Sequence, residues 1–189
     1  SLYHRSKWEA HEQVARPMMD AGLPLVVVLP GAIYGLGDHS AIGDVISQFL
    51  RGRLQAIPKG SAYCWGHVVG TAAAHRLAME RGSPGEDYII AGPPATLLEA
   101  LSIVAEISGR RLPRLQIPAS LLRGTSRALG VFGSIPAMAD QAEFMRVAAG
   151  VTYLGDSAKA REKLGFAPRS LEDGFAEYIP ALIDELGLA

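Results

Sequence analysis

The chain has a single cysteine, Cys64, among its 189 residues. That excludes an intramolecular disulfide framework and a multi-cysteine zinc site, and it fits a reducing compartment. Net charge is almost absent: 18 basic side chains stand against 19 acidic ones, for a formal charge of −1. This balance gives no electrostatic reason to expect nucleic acid or a membrane surface as a partner. No apolar run approaches the length that spans a bilayer. The start, Ser1-Leu2-Tyr3-His4-Arg5-Ser6-Lys7, has no apolar signal segment, so a soluble cytoplasmic protein is expected. Repeats, low-complexity tracts and long linkers are also missing. His4, His11, His39, His67 and His75 form neither a His-x-x-x-His pair nor a Glu-bearing zinc motif, so no metal site is expected. Apolar residues, by contrast, are plentiful. At 49% hydrophobic and 20% charged the chain is not disordered, and its length is that of one domain with a substantial core.

The hydrophobic pattern alternates between strand and helix. Ser6 to Ala21 reads as a helix, with Trp8, Ala15, Met18 and Met19 able to share a face. Pro17 is expected to kink it or close it early, and Gly22 to stop it. Leu25 to Leu29 is apolar at every position, which predicts a strand buried on both faces, as in a parallel sheet. A helix is expected from Ala41 to Arg51 with Ser40 as its cap. A short strand follows within Ala62 to Val68, then a helix from Val69 to Arg81 ended by Gly82. Asp87 to Ala91 reads as a second buried strand. Thr96 and Glu99 have capping-box spacing for a helix reaching Ser108, and Leu115 to Ile117 suits a short strand. Ala119 to Gly150 reads as mostly helical. Asp156 or Ser157 caps a short helix that ends at Gly165, with Phe166 packing back on it. Ser170 to Asp173 opens the last helix. The fold class is α/β, with helices dominating the later part.

The residues with most chemical promise are Tyr3 and Lys7. Positions i and i+4 lie on one face of a helix. A free phenol, with a pKa near 10, exchanges protons poorly at neutral pH. A neighbouring ammonium favours the phenolate, so such a pair can trade a proton with a substrate hydroxyl or carbonyl.

Tyr3-x-x-Ser6-Lys7 is followed by a helix, the strand Leu25 to Leu29 and then Pro30-Gly31-Ala32-Ile33-Tyr34-Gly35-Leu36-Gly37-Asp38. Later come Trp65-Gly66-His67-Val68, Gly85 to Gly92, Asp156-x-x-Lys159-Ala160-Arg161-x-x-Leu164-Gly165-Phe166-x-Pro168 and Ser170 to Gly174. This ordered series covers nearly the whole chain. It resembles the extended short-chain dehydrogenases/reductases, the NAD-dependent epimerase/dehydratase superfamily. The resemblance implies the C-terminal part of a Rossmann-type parallel sheet within residues 1–92, followed by a mostly helical substrate-binding region over 93–189. It implies NAD or NADP as cofactor, Tyr3 as acid/base, and Lys7 lowering the tyrosine's pKa and holding the nicotinamide ribose. Pro30, Gly31, Ala32 and Ile33 would border the nicotinamide, and Tyr34, Tyr63 and Trp65 would line the substrate pocket. The family's glycine-rich dinucleotide fingerprint precedes the tyrosine. Without it, weak or no cofactor binding by this chain alone is expected, together with association with a missing N-terminal half or self-association, a homodimer included.

Gly35-Leu36-Gly37-Asp38-His39-Ser40 imitates a dinucleotide loop, but the third small residue is out of register and no acidic residue stands near position 57. A tight loop ending in a helix cap is the expectation. His67 is expected to hold a turn or helix start by hydrogen bonding, and Cys64 to be a small buried hydrophobe. Arg110-Arg111-x-x-Arg114 reads as a solvated loop. Ala32 and Tyr63 replace an Asn and an Arg usual in nucleotide-sugar members of the resembled family. A diphosphate needs charge-assisted donors, so the closer resemblance is to dihydroflavonol-reductase-like and hydroxysteroid-dehydrogenase-like members. The expected function is therefore carbonyl/alcohol oxidoreduction on a small substrate that is not nucleotide-linked. The alternatives are a sugar or sugar-nucleotide epimerase/dehydratase, or a non-catalytic binding or assembly module.

Overall fold

A computed structural model of the chain describes residues 2–118 and 152–188. The helices expected between Ala119 and Gly150 lie outside the described residues. The chain opens with α1 (Leu2–Glu9), a π-helical segment (Ala10–Ala15) and α2 (Arg16–Asp20) in unbroken succession. Pro17 therefore does not close the helix. The Arg16 N–H reaches back five residues to the His11 carbonyl, and these wider turns lie where the proline ring would otherwise crowd the residue four before it. Gly22, at φ 92°, ends the run. The expected apolar face is only partly used: Met19 is buried, whereas Trp8 and Met18 are 59% and 47% exposed.

β1 (Val27–Pro30) pairs in parallel with β5 (Asp87–Ile90). After Gly31 the chain resumes as β2 (Ala32–Tyr34), which pairs in parallel with β4 (Ala62–His67) instead. The change of partner depends on two close backbone approaches. A Cβ on Gly31 would lie 2.4 Å from the Cys64 carbonyl oxygen, and one on Gly92 would lie 1.8 Å from that of Trp65. β4 also pairs antiparallel with β6 (Pro94–Thr96) and in parallel with β8 (Thr152–Tyr153). β3 (Ala56–Pro58) and β7 (Leu115–Ile117) form a separate parallel pair. β1 is not covered on both faces as its composition suggests. Leu29 and its partner Ile89 are 37% and 38% exposed, and among the described residues β5 is the only strand beside β1.

The helices pack according to their apolar stripes. α3 (Ala41–Leu50), α5 (Leu97–Ser108) and α7 (Leu171–Glu185) enclose the larger core with Tyr34, Trp65, Leu101, Phe175 and Ile179. α4 (Val68–Arg81) and α6 (Ala158–Leu164) close a smaller core over β5 with Ala74, Tyr88, Leu164 and Phe166. Each core draws on residues from both sides of position 92. The caps follow the residues that predicted them. Thr96 and Glu99 form a reciprocal capping box, Ser170 accepts from the Asp173 N–H, and Gly165 is left-handed with the Phe166 N–H returning to the Ala160 carbonyl. Among the described residues no helix is long and apolar enough to cross a membrane.

Candidate active site

A cleft of about 1040 Å³ opens at the C-terminal end of β1, bordered by Tyr3, Lys7, Leu29, the run from Pro30 to Ile33, and Tyr63. In open α/β sheets, ligands sit beyond the carboxyl ends of the strands where neighbouring connections diverge. Here β1 pairs with β5, and after Gly31 its continuation pairs with β4. Tyr3 and Lys7 reach the cleft from the first two turns of α1, with the Lys7 Nζ 5.7 Å from the centroid of the Tyr3 ring. Further along the same helical run, the Arg16 guanidinium lies 3.2 Å from the Asp87 carboxylate at the start of β5. That pair is partly exposed and contributes about 1 kcal/mol or less.

The residues expected to form the substrate pocket fall into three positions. Tyr63 borders the cleft and is buried. Burial pushes its phenol above the ordinary value, against a hydrogen bond with Ser61 that pulls it down. Tyr34 also borders the cleft but is 1% exposed, wedged among the rings of Trp65, His67, Phe175 and Tyr178. Desolvation raises its pKa strongly, so it is a neutral, rigid floor. Trp65 does not border the cleft. It lies in the larger core, with its indole N–H donating to the Ala95 carbonyl at 3.0 Å, on the same face of β4 as Tyr63 but two residues further along.

The Gly35–Ser40 loop forms a helix cap. Gly37 takes φ 76°, the Asp38 carboxylate accepts from the Ser40 N–H, and the Ser40 hydroxyl accepts from the Ile42 and Gly43 N–H groups. The Ile42 and Gly43 donors at the start of α3 are thus occupied from within the chain, as in an ordinary helix cap. His67 departs from its expected role. It precedes α4 without a side-chain capping bond, and its buried Nδ1 has no hydrogen-bond partner. Burial, then the charge of Arg169, depresses its pKa, with Glu177 opposing, so the ring stays neutral. Cys64 is buried, with its Sγ between the Gly155 N–H and carbonyl. Arg110, Arg111 and Arg114 are exposed. Among the described residues no three metal-ligating side chains gather at one point.

Two residues in contact with the tyrosines of the cleft escaped the sequence reading, His4 against Tyr3 and Tyr153 against Tyr63. Tyr153 is 149 positions from His4, yet its hydroxyl lies 3.1 Å from the His4 Nε2. No local spacing signals such a contact.

The donor set fits one end of a nicotinamide dinucleotide. Lys7 brings an ammonium to the cleft, and the Pro30–Ile33 segment borders it.

Relatives share both the sequence and the fold. Sterol demethylase protein B of Methylococcus capsulatus is 30% identical over 192 residues, covering 94% of this chain and 55% of that protein. The 3beta-hydroxysteroid-dehydrogenase/decarboxylase isoform 2 of Arabidopsis thaliana is 24% identical over 88% of this chain and 32% of its own length. A nucleoside-diphosphate-sugar epimerase from Pseudomonas aeruginosa superposes with a TM-score of 0.75 at 26% identity, covering 100% of this chain and 57% of that one. More distant structures of the same fold, a dTDP-glucose 4,6-dehydratase from Bacillus anthracis among them, hold NAD. No family model matches the chain. In sequence and fold the chain is similar to the NAD-dependent epimerase/dehydratase superfamily, and it matches the C-terminal part of that Rossmann-type fold. The chain spans about half the length of the first of these curated relatives and a third of the second.

Proposed function

We propose that this chain carries the acid/base and substrate-binding part of a cytoplasmic NAD(P)-dependent oxidoreductase. Its substrate would be a carbonyl or alcohol on a small, largely apolar molecule without a nucleotide handle. The observation that carries this reading is the meeting of Tyr3, Lys7 and the Pro30–Ile33 backbone on one cleft at the end of β1. In the reductive direction Tyr3 donates its phenolic proton to the substrate oxygen, and in the oxidative direction it takes the proton back. The Lys7 ammonium stabilises the phenolate left behind and holds the nicotinamide ribose. Pro30, Gly31, Ala32 and Ile33 border the nicotinamide, which when bound supplies or accepts the hydride. Tyr34 and Tyr63 give the substrate a rigid aromatic wall, and Leu29, Ile33, Leu36 and Val68 keep its surroundings apolar. The sterol and hydroxysteroid names of two relatives support such a substrate.

A second reading, epimerisation or dehydration of a sugar nucleotide, is favoured by the likeness to the Pseudomonas epimerase. Ala32 and Tyr63 weigh against it, because neither offers the charge-assisted donors that a diphosphate requires. The exposed Trp8, Val14 and Met18 on the helix run, with an edge of β1 that no strand among the described residues pairs, support association with further protein. That protein is either more of the same polypeptide or a second copy.

The test is Tyr3→Phe in the protein expressed from its full gene. Turnover of a 3-keto steroid should fall by about 10²–10⁴-fold, the usual worth of a positioned general acid, while NAD(P)H affinity by fluorescence titration stays unchanged. Turnover retained in Tyr3→Phe would remove Tyr3 from the chemistry.

A further inference from the structure

Aromatic side chains from three distant parts of the chain form a run that ends at Tyr3. β8 lies beside β4 with Tyr153 in register with Tyr63, and their rings stack 6.3 Å apart at an interplanar angle of 23°. The Tyr153 hydroxyl reaches the His4 Nε2 at 3.1 Å, with the ring centroids 5.6 Å apart. The His4 ring in turn meets Tyr3 edge-on at 5.7 Å. Tyr63 is part of the cleft wall, so the run joins that wall to the phenol above it.

The phenol needs such a link. Tyr3 is 65% exposed and α1 buries none of its residues, so burial does not hold the first turn, and helix starts fray readily. The Ser6 hydroxyl donating to the Tyr3 carbonyl at 2.9 Å, and Lys7 over the Tyr3 ring, act within the helix itself. They set the shape of the turn without setting its place over the cleft.

We propose that Tyr153 is a positioning residue: through its hydroxyl on His4 and its ring on Tyr63, it holds the first turn of α1 so that Tyr3 stays over the substrate. The inference rests on Tyr3 being the acid/base. With the phenol donating, the His4 Nε2 accepts and the ring proton resides on Nδ1. Small misplacements of a reacting group cost rate steeply, so this tether acts on kcat rather than on affinity.

The experiment uses Tyr153→Phe in the full protein, because phenylalanine keeps the stack and removes the hydroxyl. Two readouts are taken: steady-state kinetics and ¹⁵N NMR of the histidine rings, with His4 assigned through His4→Gln. In the parent protein the His4 Nε2 should show the shift of a hydrogen-bonded acceptor, and Tyr153→Phe should abolish that bias. In the variant, kcat should fall by about 10–100-fold with KM, cofactor affinity and unfolding midpoint unchanged. His4→Gln, which retains an acceptor, should keep more of kcat than His4→Ala. Parental kcat in Tyr153→Phe overturns the proposal, as does a His4 Nε2 that is no acceptor in the parent. Failure is separable from that of the underlying reading: an active Tyr3→Phe removes the acid/base assignment, whereas an inactive Tyr3→Phe beside a fully active Tyr153→Phe removes only the tether.

Discussion

At Gly174 in α7, a Cβ would fall 1.9 Å from the Tyr34 hydroxyl oxygen and 2.9 Å from the ring carbon that bears it. A tyrosine tip can usually swing aside, but this ring is 1% exposed and packed against four other aromatic rings. Two effects of Gly174→Ala therefore oppose one another. Alanine is a better helix former by about 1 kcal/mol, while overpacking a closed core costs about 1–3 kcal/mol. With a clash this short the second should win, so urea unfolding of Gly174→Ala should show a midpoint below the parent's. A rise would mean that Tyr34 is free to move. The same residue scale shows what was legible beforehand and what was not. Thr96, Ser170 and Gly165 announce their roles because capping depends on residues within one turn. His67 did not, since its unpartnered Nδ1 and its neighbours Arg169 and Glu177 are separated from it by a hundred residues of chain. Trp65 shares a face of β4 with Tyr63, and alternation along a strand gives no sign of where along that face the cleft ends and the core begins.

Among the elements, the strands repay the closest attention. Leu25 to Leu29 is apolar throughout, and that pattern belongs to a strand flanked on both edges and covered on both faces. In the structure its C-terminal half, Val27–Pro30, forms the strand, paired on one edge with β5 and leaving Leu29 and Ile89 each more than a third exposed. Among the described residues no strand pairs with its other edge. An unpaired apolar edge is a template for another strand. Apolar surface is worth about 25 cal/mol per Å², so a few hundred Å² amounts to several kcal/mol, comparable with a domain's whole stability of about 5–15 kcal/mol. The 189-residue polypeptide should therefore sediment as a dimer or larger species at micromolar concentration, and a charged substitution at the edge, Leu29→Lys, should reduce that association. A cooperative, stable monomer at all concentrations would show that the edge is satisfied from within. β2, β6 and β8 were not foreseen at all, because each is two or three residues long and exists only through its pairing with β4.

For the molecule as a whole, the fold could be read from the order of its landmarks and the site only from their convergence. Tyr3, Gly31 and Tyr63 are spread over sixty residues, and what makes them one site is that α1, the β1–β2 junction and β4 all border a single cleft. The chemistry we propose for that cleft is transfer of a hydride between a nicotinamide and a carbonyl carbon, with Tyr3 moving the proton. The most direct measurement supplies the full protein with a reduced nicotinamide cofactor deuterated at its hydride-bearing carbon, together with a 3-keto steroid, and follows the label by mass spectrometry. The expected result is an alcohol carrying one deuterium for each cofactor oxidised, formed by the parent protein and lost in Tyr3→Phe. An unlabelled alcohol, or a steroid and cofactor both left unchanged while a sugar nucleotide is epimerised, would contradict the assignment.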